Sequence, residues 1–510
     1  MRRLVVASTA LLAMLAAGVV AVYLLFVGGA GDRLARAVPE DAAVYAQVYL
    51  QPSGGQKANL AGLIGRLPGF ADAAALDDKL QQIAQRLLGG ADIDYAADVR
   101  PWLGTEIAIA ASRSDLLLVA AVRDGHAAQA AVPRLMAAGN ATYQSTPYRG
   151  IGLMLGKGRS YALLPDLLIV AQSPARLRAA IDAETNARPS LADSSAFLAA
   201  MDALPVDRLA SAYVDLRRAL PIGERGIAGY QTAAIAVTAA ADGLHADGSA
   251  AFSTSSASHD ARRAFSLAGK PSTLAEWIPR SARAELTVFG LQETIAELEA
   301  QLAADPAFFD ATDALNQLRA LAAVGLGINA DRDLLPLFGD KTAVTLLGGR
   351  LLAPQAVLLA RPPDATAAQK SLDRIRSALA GRGARVETTT VQGITITSVA
   401  VPEVGQIAWA SSDGVVLIGL NAADVTAAIE AHASKETLAS DPRYTAPFKI
   451  MRDHIGQEFW ADVPQLVDAA AGIFDPGTEL RDILHQIGQV AVVASAGKDQ
   501  LEIHAVLTVR

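Results

Sequence analysis

Apolar residues along this chain fall into short runs with two different spacings. Leu116-Leu117-Leu118-Val119 and Leu167-Leu168-Ile169-Val170 are apolar at successive positions, which predicts strands covered on both faces. Thr388 to Ser398 alternates and predicts a strand region with one wet face. The stretch Ala71 to Leu88 places Leu76, Leu80, Ile83 and Leu87 on one helical stripe, suited to packing on a sheet. A third pattern opens the chain: after Arg2 and Arg3 no charge occurs from Leu4 to Ala30, and Asp32 is the next charged residue. As a helix that run is roughly 40 Å long, against a hydrocarbon core of about 30 Å.

The order of the remaining segments occurs twice. Asp98-Val99-Arg100-Pro101-Trp102-Leu103-Gly104 corresponds to Asp333-Leu334-Leu335-Pro336-Leu337-Phe338-Gly339, each before a β-rich run, Ile107 to Ala111 and Thr342 to Leu347. Val38-Pro39 and Ile278-Pro279 open the two copies. Strand-like Leu116 to Val122 matches Ala356 to Ala360, and Ala-rich helical Ala127 to Ala138 matches Ala365 to Ala380. The β segment Tyr143 to Leu155 matches Val386 to Val399. Turns at Pro165-Asp166 and Ser412-Asp413-Gly414 then join strand pairs. Helical Pro174 to Ala183 matches Ala422 to Ala431, and Tyr213-Val214-Asp215 matches Trp460-Ala461-Asp462. Each copy ends in a hairpin, Ile235 to Phe252 around Asp242-Gly243 and Val490 to Val509 around Gly497-Lys498-Asp499. The expected fold is therefore α+β: two tandem copies of a mainly antiparallel sheet module with packed helices, preceded by one transmembrane helix. The expected boundaries are 1–37 for a cytoplasmic stub, anchor and juxtamembrane segment, 38–253 for the first module, 254–274 for a linker and 275–510 for the second module.

Arg2 and Arg3 favour a cytoplasmic N-terminus, and Arg33 and Arg36 dilute that bias. The rival reading is a cleaved signal peptide, whose hydrophobic region spans only about 7–15 residues. Tyr23-Leu24-Leu25-Phe26 prolongs the run just where small residues belong, and Gly28-Gly29-Ala30 is a poor cleavage site. Both readings place the bulk of the chain outside the cytoplasm, periplasmic or extracellular. The expected localisation is the cell membrane, single-pass, with the membrane itself the partner of the N-terminal helix.

Composition narrows the chemistry. Hydrophobic residues make up 52% of 510 positions and charged residues 19%, enough apolar material for sizeable cores. Net charge is −8 and no basic stripe with interleaved aromatics occurs, so nucleic acid is not an expected partner. The chain has no cysteine, which removes disulfides, thiolate ligands and cysteine nucleophiles. No Gly-x-Ser-x-Gly elbow or His-Glu-x-x-His helix is present. Gly152 to Lys157 is one residue short of a phosphate loop, and Gly339-Asp340-Lys341-Thr342 carries an extra residue before its lysine. Asn329-Ala330-Asp331-Arg332-Asp333, with Asp340 at the twelfth place, resembles the start of a calcium loop, but Leu334 stands where glycine is needed and Pro336 interrupts it. Asp98 and Asp333 read instead as turn caps. His126, His245, His259, His432, His454, His485 and His504 do not match across the copies. Trp102 and Phe338 read as packing residues filling one core position, with Gly104 and Gly339 at tight turns. Asp215 and Asp462 are matched acids whose default role is solvated or turn-bonding. No catalytic, cofactor-binding or metal-ligating residue is assigned, and no cofactor is expected.

The anchor, Val38-Pro39-Glu40-Asp41-Ala42, Leu50-Gln51-Pro52-Ser53 with Gln56, Asp98 to Gly104, and Pro165-Asp166-Leu167-Leu168 together resemble a bacterial family, domain of unknown function thirty-three fifty-two. The resemblance covers most of the chain and is weaker in the second copy, which lacks the Pro-Ser-Gln element. It implies a membrane-anchored envelope protein and supplies no activity. Three functions stay open: a non-catalytic envelope binding or interaction protein with a protein, lipid or cell-wall partner; a lipid or hydrophobic-ligand carrier; and a membrane-anchored hydrolase with a long-range site. The first is the leading reading, because every catalytic signature sought is missing.

Overall fold

Three two-residue turns set the sheet architecture. Arg149-Gly150, Gln392-Gly393 and Asp413-Gly414 have positive φ at both residues, the type I′ geometry whose twist matches that of an antiparallel pair. The computed structural model describes residues 32–67, 94–112, 115–137, 141–219, 229–267, 272–304, 316–317, 319–320, 323–324, 327–350, 353–401, 405–450, 457–470, 478–497 and 499–510. The chain divides into two compact units, Met1–Phe252 and Ser253–Arg510.

Ten strands of the first unit are described: β1 (Val44–Tyr49), β2 (Leu103–Ala111), β3 (Leu116–Val122), β4 (Tyr143–Tyr148), β5 (Ile151–Gly156), β6 (Ser160–Leu163), β7 (Leu167–Ala171), β8 (Ala210–Asp215), β9 (Tyr230–Ala239) and β10 (Gly243–Phe252). They pair in the order β10-β9-β8-β1-β2-β3-β7-β6-β5-β4, antiparallel at every step. The second unit has β11 (Ala284–Phe289), β12 (Lys341–Arg350), β13 (Ala353–Arg361), β14 (Arg385–Val391), β15 (Ile394–Val401), β16 (Gly405–Ser412), β17 (Val415–Gly419), β18 (Gln457–Asp462), β19 (Ile487–Ala496) and β20 (Gln500–Val509). Their order is β20-β19-β18-β11-β12-β13-β17-β16-β15-β14, again antiparallel throughout. The two orders are identical strand for strand, and with helices packed on the sheets the fold is α+β.

One face of each sheet carries the main core. In the first unit Leu177, Ala180 and Ile181 from the helix Pro174–Glu184, and Phe197 and Met201 from the helix Ser195–Asp202, pack on Tyr45, Ala108, Ala110, Leu117, Val119, Ile169 and Tyr213. In the second, Val425, Ala428 and Ile429 from Ala422–Ser434 pack with Trp277, Val357, Leu359, Leu417 and Trp460. The helices start where side chains cap them: Ser173 accepts from the Arg176 amide and Asn421 from the Asp424 amide. Among the described residues the opposite face is covered over part of its area. There the helix Gly125–Ala137 covers Ala120, Tyr161 and Leu168, and the helix Ala365–Gly381 covers Val399, Trp409 and Val416.

Several expectations change. The first unit begins before Val38: Arg33–Ala37 is a 3₁₀ turn with Leu34, Ala35 and Ala37 fully buried, because that tight helix repeats every three residues and turns Leu34 and Ala37 to one side. The stretch assigned to a linker is also built in. His259–Leu267 is a helix burying Ala261, Phe265 and Leu267, and Leu274 and Trp277 lie in the second core. Leu337, not Phe338, takes the place matching Trp102; Leu337 and Trp102 are buried and Phe338 is half-buried. Leu4–Ala30 and Ala71–Leu88 lie outside the described residues, and among those described no helix is long and apolar enough to cross a membrane.

Gly104 and Gly339 are needed for close approach, not for a turn: neither has positive φ. A Cβ on Gly104 would stand 2.8 Å from that of Ala121 in β3, and one on Gly339 would overlap the Arg361 carbonyl. Gly339→Ala should therefore destabilise the second unit by about 1–3 kcal/mol, as an overpacked site that only backbone movement relieves. Gly104→Ala, which meets a side chain as well as backbone, should cost less. Urea unfolding of both variants checks the order.

Candidate ligand-binding face

The central strands are inside out. In β1 the alternating sequence Val44-Tyr45-Ala46-Gln47-Val48-Tyr49 turns Tyr45, Gln47 and Tyr49 into the helix-covered core, leaving Val44 and Ala46 exposed. The matching β11 does the same: Glu285, Thr287 and Phe289 face inward and Leu286 is 44% exposed. The opposite register would bury the aliphatic set, since a one-residue slip exchanges the faces.

Inward-facing polar groups form a cluster in each unit. In the first, Tyr45 donates to Gln47, Gln47 Nε2 donates to Glu106 at 2.7 Å, and Tyr49 donates to Asp32 at 2.7 Å. Arg208 clamps both Asp32 oxygens at 2.9 and 2.8 Å. Burial and the Asp32 charge push the Glu106 carboxyl up to about 7, against the pull of Arg33 and the Gln47 hydrogen bond. In the second unit Glu285 is fully buried, and burial pushes it up to about 8 despite the hydrogen bond from Thr287, with Glu458 adding to the rise. Burial also raises Glu458, which accepts from Tyr444 at 3.1 Å. Glu285 Oε2 and the cross-strand Thr345 Oγ1 are buried without a hydrogen-bond partner.

Outward-facing positions form an apolar row across each sheet. Cross-strand register links Ile235, Ala212, Ala46, Ile109, Leu118 and Val170 in the first unit. It links Val492, Phe459, Leu286, Val344, Leu358 and Ile418 in the second. Each residue of one row occupies the strand position of its counterpart in the other. Ile109 and Leu118 are 45% and 36% exposed, and Val344 is 49% exposed. Leu116 and Leu118, whose apolar run predicted cover on both faces, are therefore open on one; Leu167 to Ile169 are buried as expected.

Residues considered for chemistry are held elsewhere. Asp98 and Asp333 cap their turns, accepting from the amides of Asp94 at 3.0 Å and Asn329 at 2.9 Å. The Arg332 hydrogen bond, with Arg374 and Asn329 N–H, holds Asp333 well below the usual carboxylate range. Asp215 and Asp462 are buried, not solvated. Asp215 accepts from the amides of Arg217 and Arg218, and Asp462 from the Gln465 amide and from Arg443. His245, His259 and His485 pair with Asp242, Asp260 and Asp468, while His432 stacks on Trp277 and bonds the Glu276 carbonyl. Gly152 lies within β5, and Lys341 and Thr342 begin β12.

A family model, Protein of unknown function (DUF3352), matches residues 5–504. The chain belongs to the DUF3352 family. No curated protein matches it. Among solved structures, crystal form III of TP0453 is 13% identical, with a TM-score of 0.25, covering 43% of the DUF3352 chain and 79% of that chain. Crystal form IV, at 13% identity and the same TM-score, covers 42% and 79%. A likeness this slight carries neither the fold nor a function for the DUF3352 chain.

Proposed function

We propose that this DUF3352 protein is a non-catalytic binding protein, anchored in the cell membrane by its N-terminal run and displaying its two units outside the cytoplasm. The observation that carries the reading is the apolar row on the partly open face of both sheets, kept in register in both copies while the core beneath takes buried carboxyls. A solvent-washed sheet face is ordinarily polar. Surface built the other way round, twice, is the mark of a contact face.

The test is native mass spectrometry of the full chain released from mild detergent, beside Ile109→Lys/Leu118→Lys and Leu286→Lys/Val344→Lys variants. A discrete bound mass on the wild type, lost in at least one variant pair whose unfolding temperature stays within a few degrees, is the expected result. These positions are exposed, so stability should change by only about 0.5 kcal/mol per site. A wild type and variants that carry the same bound mass, or a bare chain with no membrane partner captured by cross-linking, would remove the apolar rows from the account.

A further inference from the structure

We propose that the apolar row of the first unit seats an acyl chain of a lipid from the leaflet in which the protein is anchored; this rests on the anchored-binding reading above. Three observations converge on a lipid rather than another partner. The first is size. From Ile235 on β9 to Leu118 on β3 the row crosses four strand-to-strand steps, about 19 Å at the usual spacing. One leaflet of a hydrocarbon core is about 15 Å deep, so the row is long enough to lie against an acyl chain along its whole length. The far end is closed by Trp102, Val132 and Met136, packed over Tyr161.

The second is chemistry. Ile235, Ala212, Ala46, Ile109, Leu118 and Val170 include no charged or hydrogen-bonding side chain. A groove for a peptide segment needs polar groups for its backbone; an acyl chain asks for none.

The third is position. The uncharged run ends at Ala30, and Asp32 is already fastened to the fold by Arg208 and Tyr49, with Leu34 fully buried two residues on. No spacer separates the run from the folded unit. Tyr49 ends β1 at the edge where Asp32 is held, and Ala46 lies three residues back, about 10 Å away. The row thus crosses the sheet near the end at which the chain enters from the membrane.

The absence of cysteine makes the test clean. Single Ile109→Cys, Leu118→Cys and, as a control in the exposed β5–β6 turn, Lys157→Cys variants of the full chain carry an environment-sensitive fluorophore. They are reconstituted in phosphatidylethanolamine–phosphatidylglycerol vesicles with or without brominated acyl chains, then washed in alkaline carbonate. Bromine quenches only on contact. Labels at 109 and 118 should lose most of their emission in brominated vesicles while the label at 157 keeps its own, with the protein remaining on the vesicles. Protein that stays bound with all three labels unquenched overturns the acyl-chain site and leaves the anchor standing. Protein stripped by carbonate overturns both. Sites that refuse the label until the chain is denatured show a row covered by the protein itself, and emission that varies with protein density instead of bromine shows one covered by a second copy. Either result overturns the proposal.

Discussion

Glu285→Gln should raise the unfolding temperature of the second unit, and the gain should grow with pH. The Glu285 carboxyl is fully buried among Thr287, Glu458, Tyr444, Trp460 and Thr345, and one of its oxygens has no hydrogen-bond partner. Burial, with Glu458 adding to it, pushes the group up to about 8 from its ordinary 4.5. A carboxyl raised in this way binds its proton more tightly in the folded unit than in the unfolded chain. Its contribution is therefore most favourable below about pH 4.5 and is lost progressively as pH rises to about 8, beyond which the loss is complete. Over that window the difference amounts to on the order of 4 kcal/mol, at about 1.4 kcal/mol per pH unit. For a unit of this size that is roughly 8–16 °C. Glu458, raised by burial, pulls the same way, while its Tyr444 hydrogen bond and Lys341 oppose it. Gln keeps an acceptor for Thr287 and never ionises, so its unfolding temperature should be nearly flat where the wild type's declines. Calorimetry of both proteins between pH 5 and 9 decides the matter: parallel pH profiles would mean that Glu285 is hydrated or relaxed in solution and carries no buried proton.

How much of this was legible in the sequence depended on whether the signal was local. Turn chemistry is local: Asp413-Gly414 occupies a two-residue turn where Ser412 to Gly414 was expected to place one, and hairpin closure around Asp242-Gly243 is equally direct. Matched helix segments were also visible, Pro174–Glu184 and Ala422–Ser434 each beginning at a capping side chain. Which face of a strand is buried is not local. In Ala284-Glu285-Leu286-Thr287-Val288 the alternation alone does not say which set faces the core; Glu285 and Thr287 are buried and Leu286 is exposed. Register against β12 and β18 decides this, and no pattern within five residues reports it.

The same limit hides the buried residues just outside the two modules. Arg33 and Arg36 sit beside an uncharged run and read as its flank, while the 3₁₀ turn that buries Leu34 and Ala37 is too short to show a period. Serines around 253–258 read as a linker, although Ala261 and Phe265 already stand four apart on a helix. The apolar run at Leu116 failed for a more informative reason. Continuous hydrophobicity predicts cover on both sides, because sheets rarely leave aliphatic residues in water. Local rules that break without a gain in stability are expected at sites under functional constraint. The inverted strands, the open row and the buried Glu285 are three aspects of one such break, repeated in both units at the level of the row.

The other large effect expected is at the start of the second unit. Trp277→Ala should cost about 3–5 kcal/mol, the range for emptying a buried aromatic site. Trp277 is only 2% exposed, lies in the main core beside Leu274, Ile278 and Val357, and stacks on His432 with ring centroids 3.7 Å apart and planes 5° from parallel. His432 is half-buried at the rim of that core, so His432→Ala should remove the stacking, about 0.5–1.5 kcal/mol, together with its bond to the Glu276 carbonyl, and still cost less than Trp277→Ala. The contrast matters for where the unit begins. The first unit has Ala37 at the matching place, with Glu184 opposite it bonded to Arg33 at 3.1 Å, so the two copies fasten the same 3₁₀ turn by different chemistry. A fragment of residues 253–510 keeps Leu274 and Trp277 and should unfold in one cooperative urea transition. A fragment of residues 279–510 retains every strand of the sheet but loses both side chains, and should show a transition shifted by at least the cost of Trp277→Ala. If the two fragments unfold alike, the turn is an ornament on the sheet and the second unit folds without it. If the longer fragment alone is cooperative, the polar stretch after Phe252 belongs to the second unit's folding nucleus, and the unit cannot be cut down to its strands.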